Sequence, residues 1–300
     1  MINQDQHGAG ATGKIATDAE AARNLTQRVI SAAVLVPLGL ICAYEGGWLF
    51  LMACTFAAVA ILYEWTSLAI GRADLRILAP GVIAVFAATG FASAGMALWA
   101  IGAIAGGAVF AGVAAWWGRF SDGTAPLWIV GGVIYAGAAL LAPALLRGDP
   151  VAGLTAILFL FAIVWTTDIF AYFVGRAVGG PLLWPQVSPK KTWAGALGGL
   201  VGGVAAGALV AYASGGTKPA VAAALAFVLS IVAQGGDLFE SAIKRRFGAK
   251  DASHLIPGHG GVMDRLDGFL VAALAAIVIG VLRQGLLQGL AAPAQGLLIW

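Results

Sequence analysis

The sequence predicts an all-α fold: a polytopic transmembrane helical bundle of about nine spans, with a polar cavity open to the cytoplasm. Three observations lead there. The 300-residue chain is 60% hydrophobic and 10% charged, with a mean hydropathy of +0.91, outside the range of soluble domains. Apolar runs close to the ~20 residues needed to cross a bilayer recur from Arg28 to Arg283. The charges between those runs are distributed with a strong sidedness.

Residues 1–27 are polar, Gly/Ala-rich and lack a cleavage pattern, which predicts a disordered cytoplasmic tail rather than a signal peptide. Spans at 28–44, 47–70, 77–93, 95–117 and 126–146 form an N-terminal transmembrane bundle, residues 28–150. The first is short, and 77–117 is nearly continuous, with a weak break from Ser93 to Met96; eight spans is the alternative count. Spans at 151–174, 193–213, 219–240 and 267–283 form a second region, 151–283, with polar cytoplasmic loops. Residues 284–300 are an apolar C-terminal tail with Pro293 and no acid or base after Arg283, expected to lie along the membrane surface.

Basic residues collect on the cytoplasmic side of membrane proteins. With the N-terminus inside, Lys14, Arg23, Arg28, Arg72, Arg76, Arg119, Arg176, Lys190, Lys191, Lys244, Arg245, Arg246, Lys250 and Arg265 fall cytoplasmic, and only Arg147, Lys218 and Arg283 fall outside. That asymmetry explains the net charge of +3 and removes any argument for nucleic-acid binding. Cys42 and Cys54 lie within apolar spans without metal-ligand spacing, as buried thiols.

The first half carries little chemistry. Gly106, Gly107 and Gly112 read as helix-packing positions, and Trp116 and Trp117 as interfacial anchors. Glu64 is the exception, either a headgroup-level residue or a support for the polar region.

Three polar clusters mark the second half. Asp168, Tyr172 and Arg176 are spaced four apart and stack along one helix face. They form either a structural acid–base pair or the wall of a polar cavity. Next comes Ser188-Pro189-Lys190-Lys191-Thr192, where Pro185 and Pro189 prevent a continuous helix. Thr192 is placed to open the next span, and Gly195 allows close approach. Backbone N–H groups at a helix start beside two lysines suit a phosphate; paired lysines also serve simply as topology determinants.

The third cluster runs from Gln234 to Asp267. On a helix, Gln234, Asp237, Glu240, Ser241 and Lys244 fall within an arc of roughly 120°. A glycine-rich loop, Pro257 to Gly261, follows, and then Asp264 and Asp267 bracket Arg265 on one face of the last span. Asp237, Asp264 and Asp267 from two adjacent helices suit magnesium, which takes one or two carboxylates together with substrate phosphates. The alternative is a set of solvated juxtamembrane ion pairs with a lipid-binding basic patch. His259 is either a loop-shaping residue or a participant in chemistry.

At these residues the chain resembles the phosphatidate cytidylyltransferase family, also called CDP-diacylglycerol synthases. The family signature is carried by Ser241, Lys244, Arg245, Lys250, Asp251, Leu255, Pro257 to Gly261, Asp264, Arg265 and Asp267. Gln234, Gly236, Asp237 and Glu240 also fit, as do the D-x3-Y-x3-R pattern at Asp168 and the S-P-K-K-T loop at Ser188. One position departs: Ala194 stands where the family typically has an acid before Gly195.

The resemblance implies transfer of CMP from CTP to phosphatidic acid, giving CDP-diacylglycerol and pyrophosphate for phospholipid synthesis. It implies Mg2+ with a second cation, K+ or Mg2+, a homodimer in membrane lipid, and residence in a bacterial inner membrane. Asp237, Asp264, Asp267, Lys244 and Arg265 become candidate catalytic residues, the three acids being metal ligands with Asp168 a possible fourth. Ser188, Lys190, Lys191, Arg245, Lys250, His259, Tyr172 and Arg176 become candidate substrate contacts.

Other classes fit less well. A transporter would show repeat symmetry and charge at mid-depth. A CDP-alcohol phosphotransferase would need further aspartates after the D-R-L-D-G at Asp264 to Gly268, and no acid follows Asp267. A retired, scaffolding relative would not keep the acidic set intact.

Overall fold

Apolar segments punctuated by Gly and Pro become helices because only a helix satisfies the backbone of a lipid-exposed segment internally. The computed structural model describes residues 30–31, 33–72, 74–118, 123–215, 218–253, 255–256 and 260–300. A short apolar helix, α1, spans Ala33–Glu45. Among the described residues, eight helices are long and apolar enough to cross a membrane: α2 (Gly47–Ile70), α3 (Leu75–Ser93), α4 (Ala97–Trp117), α5 (Ala125–Gly148), α6 (Gly153–Val178), α7 (Trp193–Ser214), α8 (Pro219–Arg246) and α9 (Met263–Gln284). Eight of the nine expected spans are met by these helices, whereas the first, expected at 28–44, is met only by the short α1, so the alternative count of eight fits the described residues. The apparent continuity of 77–117 resolves into α3 and α4, separated at Gly95, whose φ is +72°. The expected tail at 1–27 lies outside the described residues.

The segment between α6 and α7 was expected to be irregular and instead forms an antiparallel hairpin. Strand β1 (Leu182–Trp184) pairs with β2 (Ser188–Thr192), with Leu182 opposite Thr192 and Trp184 opposite Ser188. Both strands are edges, so Pro189 removes no ladder bond from a central strand. Thr192 then opens α7 as expected, its Oγ1 accepting the Gly195 N–H at 3.1 Å.

Small residues set the helix contacts. A methyl on Gly195 would lie 2.7 Å from the Ala171 carbonyl oxygen, so α7 lies directly against α6. Deeper in the bundle, Thr167 and Ser230 share a buried hydrogen bond of 2.8 Å between α6 and α8. Gly107 and Gly112 pack closely as expected, against Pro80 and Val130, whereas Gly106 faces open space. Trp116 and Trp117 are exposed at the end of α4.

The C-terminal tail differs from expectation. It folds into α10 (Leu286–Ala291) and α11 (Pro293–Leu298), and α11 packs into the bundle with Leu297 and Leu298 buried. Close backbone contact between Gly280 and Gly296 permits this. Arg283 Nη1 satisfies the Gly296 carbonyl at 2.7 Å, and Gln295 donates its backbone N–H to Asp149 at 2.8 Å. Apolar character alone could not distinguish a tail on the membrane from one tucked into the protein.

Candidate active site

The polar residues gather at the end of the bundle where α6 and α8 finish and α7 and α9 begin. There a cavity of about 730 Å3 is lined by all three sequence clusters. Asp168, Tyr172 and Arg176 come from α6, Ser188, Lys190 and Lys191 from β2, Gln234, Asp237 and Lys244 from α8, and Asp264, Arg265 and Asp267 from α9.

The meeting of Asp237 and Asp267 has a simple cause. Each adjoins a glycine at the crossing of α8 and α9. A methyl on Gly236 would lie 2.9 Å from the Asp267 carbonyl oxygen, and one on Gly268 would lie 3.0 Å from that of Ala233. The two backbones therefore touch, and the aspartates beside the glycines face the same space. Asp168, across the cavity on α6, is near enough for its charge to act on both. Lys191 offsets this crowding through an ion pair with Asp237. Arg176 Nη1 donates to the Tyr172 hydroxyl at 3.1 Å on the same wall.

Asp264 lines the cavity but is engaged differently. Its Oδ2 accepts the N–H groups of Ala252 at 3.0 Å and Gly261 at 2.7 Å. Its Oδ1 pairs with Lys244 at 2.6 Å, and the same Lys244 ammonium lies 2.7 Å from Glu240. Glu240 is 1% exposed and Lys244 9% exposed, so this is a buried clamp between α8 and α9. Lys244 is thus a cation held between two carboxylates, and Asp264 anchors the loop that leads into α9.

Of the other expected contacts, Arg245 does not line the cavity and donates to the carbonyls of Val187 at 3.4 Å and Ala249 at 3.0 Å. Lys250 is exposed and does not line the cavity. His259 lies outside the described residues. Asp251, read from the sequence only as part of the family signature, also lines the cavity.

Glu64 takes the supporting role. It is fully buried and reaches from α2 to the start of α9, where it accepts the backbone N–H groups of Val262 at 2.8 Å and Met263 at 2.7 Å. Ser253 Oγ donates to it at 2.6 Å. The Gly260–Gly261 pair follows from these two carboxylates. A Cβ at Gly261 would lie 2.6 Å from Glu64 Oε1, and one at Gly260, where φ is +82°, would lie 2.7 Å from Asp264 Oδ2.

Among the described residues no group of three or more Asp, Glu, His or Cys forms a ready metal cage. Magnesium needs no such cage, since it binds through one or two carboxylates and completes its shell with water and substrate phosphates. Asp237 and Asp267 offer hard oxygens to the cavity, so the residues present fit such an ion.

Five carboxylates and five cations around one cavity, at one end of an apolar bundle, define an integral membrane enzyme rather than a packing scaffold. The chain belongs to the cytidylyltransferase family, whose model matches residues 26–282. It is 44% identical over 264 residues to a phosphatidate cytidylyltransferase of Brucella abortus biovar 1 (strain 9-941), covering 86% of this chain and 94% of that protein. Phosphatidate cytidylyltransferases of Haemophilus influenzae and Bacillus subtilis are 43% and 41% identical over 129 and 119 residues, or 41% and 39% of this chain and 45% and 44% of theirs.

Proposed function

We propose that this chain is a phosphatidate cytidylyltransferase, transferring the cytidylyl group of CTP to phosphatidic acid. A phosphate oxygen of the lipid bonds to the α-phosphorus of CTP, and the bond from that phosphorus to the bridging oxygen of the β-phosphate breaks. CDP-diacylglycerol and pyrophosphate result. The observation that carries this reading is the glycine-mediated crossing that sets Asp237 beside Asp267 in a cavity also lined by Lys190, Lys191 and Arg265.

The nucleophile is a phosphate monoester, already anionic near neutral pH, so the protein need not remove a proton from it. Its work is positioning and charge neutralisation. Arg176, Lys190, Lys191 and Arg265 are the cations that face the phosphates. Lys244, fixed between Glu240 and Asp264, holds the α8–α9 wall and keeps its charge at the cavity edge. Tyr172 and Ser188 supply hydroxyls to the same space.

Asp237 and Asp267 would hold Mg2+, with Asp168 the further carboxylate for a second cation, K+ or Mg2+. Such an ion, when bound, neutralises the triphosphate and pyrophosphate charge. Asp264, with both oxygens already engaged, is assigned to anchoring. Ala194 leaves its position at the head of α7 without a carboxylate, so the acid set is drawn from α6, α8 and α9.

The excess of basic residues at this end supports a cytoplasmic cavity and N-terminus, and the bacterial sources of the relatives support a bacterial inner membrane. CTP then arrives from the cytoplasm and the lipid from the bilayer. The family resemblance favours a homodimer, and helix surfaces rich in Gly and Ala permit one. Formation of CDP-diacylglycerol from labelled CTP and phosphatidic acid by the detergent-purified protein tests the reading. Product that requires both substrates supports it, and folded protein yielding none overturns it.

A further inference from the structure

Glu64 is the only acidic residue of α2, and it is 0% exposed. We propose that it is a positioning residue for the transfer reaction, fixing α9 along its axis so that Arg265 and Asp267 meet the cavity in register. The role rests on the function proposed above. It concerns a residue some 200 positions away in sequence, in a helix that does not line the cavity.

The start of α9 needs an outside partner. The first N–H groups of any helix lack intrahelical acceptors, and Val262, at the N-cap, has helical φ −66° and ψ −38° and makes no side-chain cap. Both oxygens of Glu64 fill that gap, one on Val262 and one on Met263. A carboxylate at this point also meets the positive end of the helix dipole. Through Oε1 the same group holds Ser253, in the loop between α8 and α9.

The anchor is itself held by its neighbours. The neighbouring Trp65 donates Nε1–H to the Trp128 carbonyl at 2.8 Å and packs at a 33° tilt against Tyr135, which ties α2 to α5. The Glu64 carboxylate also sits close over Gly261, where an added Cβ would lie 2.6 Å from Oε1. The first turn of α9 is therefore tied to α2 at both its leading amides. Asp264, Arg265 and Asp267 follow within five residues of that anchor.

The test compares steady-state CTP- and phosphatidate-dependent turnover of the wild type with Glu64→Gln, Gly261→Ala and a packing control, Thr55→Val. Glutamine keeps the size but turns an amide N–H toward one of the two backbone N–H groups. Misplacing reacting groups is costly, so kcat is expected to fall about 10- to 100-fold. KM for CTP should stay within about twofold, because the cations that bind the triphosphate come mainly from β2 and α6. Thr55→Val removes a hydroxyl that bonds Thr89 at 2.9 Å elsewhere on α2, and it should lower the melting temperature while keeping kcat.

Gly261→Ala pushes the Glu64 carboxylate from the other side and should reproduce the loss, which keeps the test open if Glu64→Gln does not fold. Wild-type turnover in both variants, or a loss confined to KM, overturns the positioning role. A wild-type protein without turnover would overturn the functional reading beneath it, a result the wild-type assay alone identifies.

Discussion

Lys191, on the β-hairpin, forms an ion pair with Asp237 on α8, bridging the hairpin to the carboxylate wall of the cavity. Both side chains are about one-third exposed, at 32% and 30%, so the pair faces the space a substrate would enter. On the function proposed above, an arriving triphosphate would compete with Asp237 for Lys191. Bonds to charged partners contribute about 1.5–3 kcal/mol, so Lys191→Met should raise KM for CTP by about tenfold or more. The melting temperature should move little, because an exposed pair contributes about 0–1 kcal/mol to stability. Initial-rate kinetics over a range of CTP concentrations checks the first point and a thermal melt the second.

The α8–α9 crossing gives a second prediction. Gly268→Ala introduces a methyl 3.0 Å from the Ala233 carbonyl oxygen. Overpacking of this kind costs about 1–3 kcal/mol, and relief by separating the helices would carry Asp267 away from Asp237. Both melting temperature and turnover should fall. Gly106→Ala, with nothing within 4 Å of its new methyl, should change neither.

At the far end of the bundle, Asp149 is 1% exposed and accepts from the N–H groups of Val151 at 3.0 Å, Ala152 at 3.1 Å and Gln295 at 2.8 Å. Asp149→Ala leaves these donors unpaired, at about 1–3 kcal/mol for each buried group, and should release α11. The cavity lies the length of α6 away, so turnover per folded molecule should persist. Protease sensitivity of the C-terminus and the specific activity of the surviving protein read the two effects separately.

What the sequence disclosed follows from the range of each interaction. The spans were legible because lipid imposes a long apolar run on every crossing helix. The polar clusters were legible because acids and bases are rare in such a chain. Asp168, Lys191, Asp237 and Asp267 do converge on one cavity. The orientation of Asp264 was not legible. Its spacing from Asp267 puts both on one face, yet the loop amides of Ala252 and Gly261 capture its carboxylate. The β-hairpin escaped because Ser188 to Thr192 has no apolar alternation. Glu64 could be marked as odd but not placed, since its partners stand 189 to 199 residues further along. The buried α11 was missed for a similar reason, because Gly280 and Gly296 reveal their fit only once the chain has turned back.

Magnesium-dependent pyrophosphate release, measured with CTP and phosphatidic acid on purified wild type, Asp237→Asn and Asp267→Asn, bears on the site most decisively. The wild type should release pyrophosphate only when lipid and magnesium are both present. Each variant should fold, with a melting temperature near that of the wild type, and lose turnover by about 100-fold or more, as expected when a group that stabilises transition-state charge is removed. Equal turnover in all three proteins would contradict the assignment of Asp237 and Asp267 to the reaction.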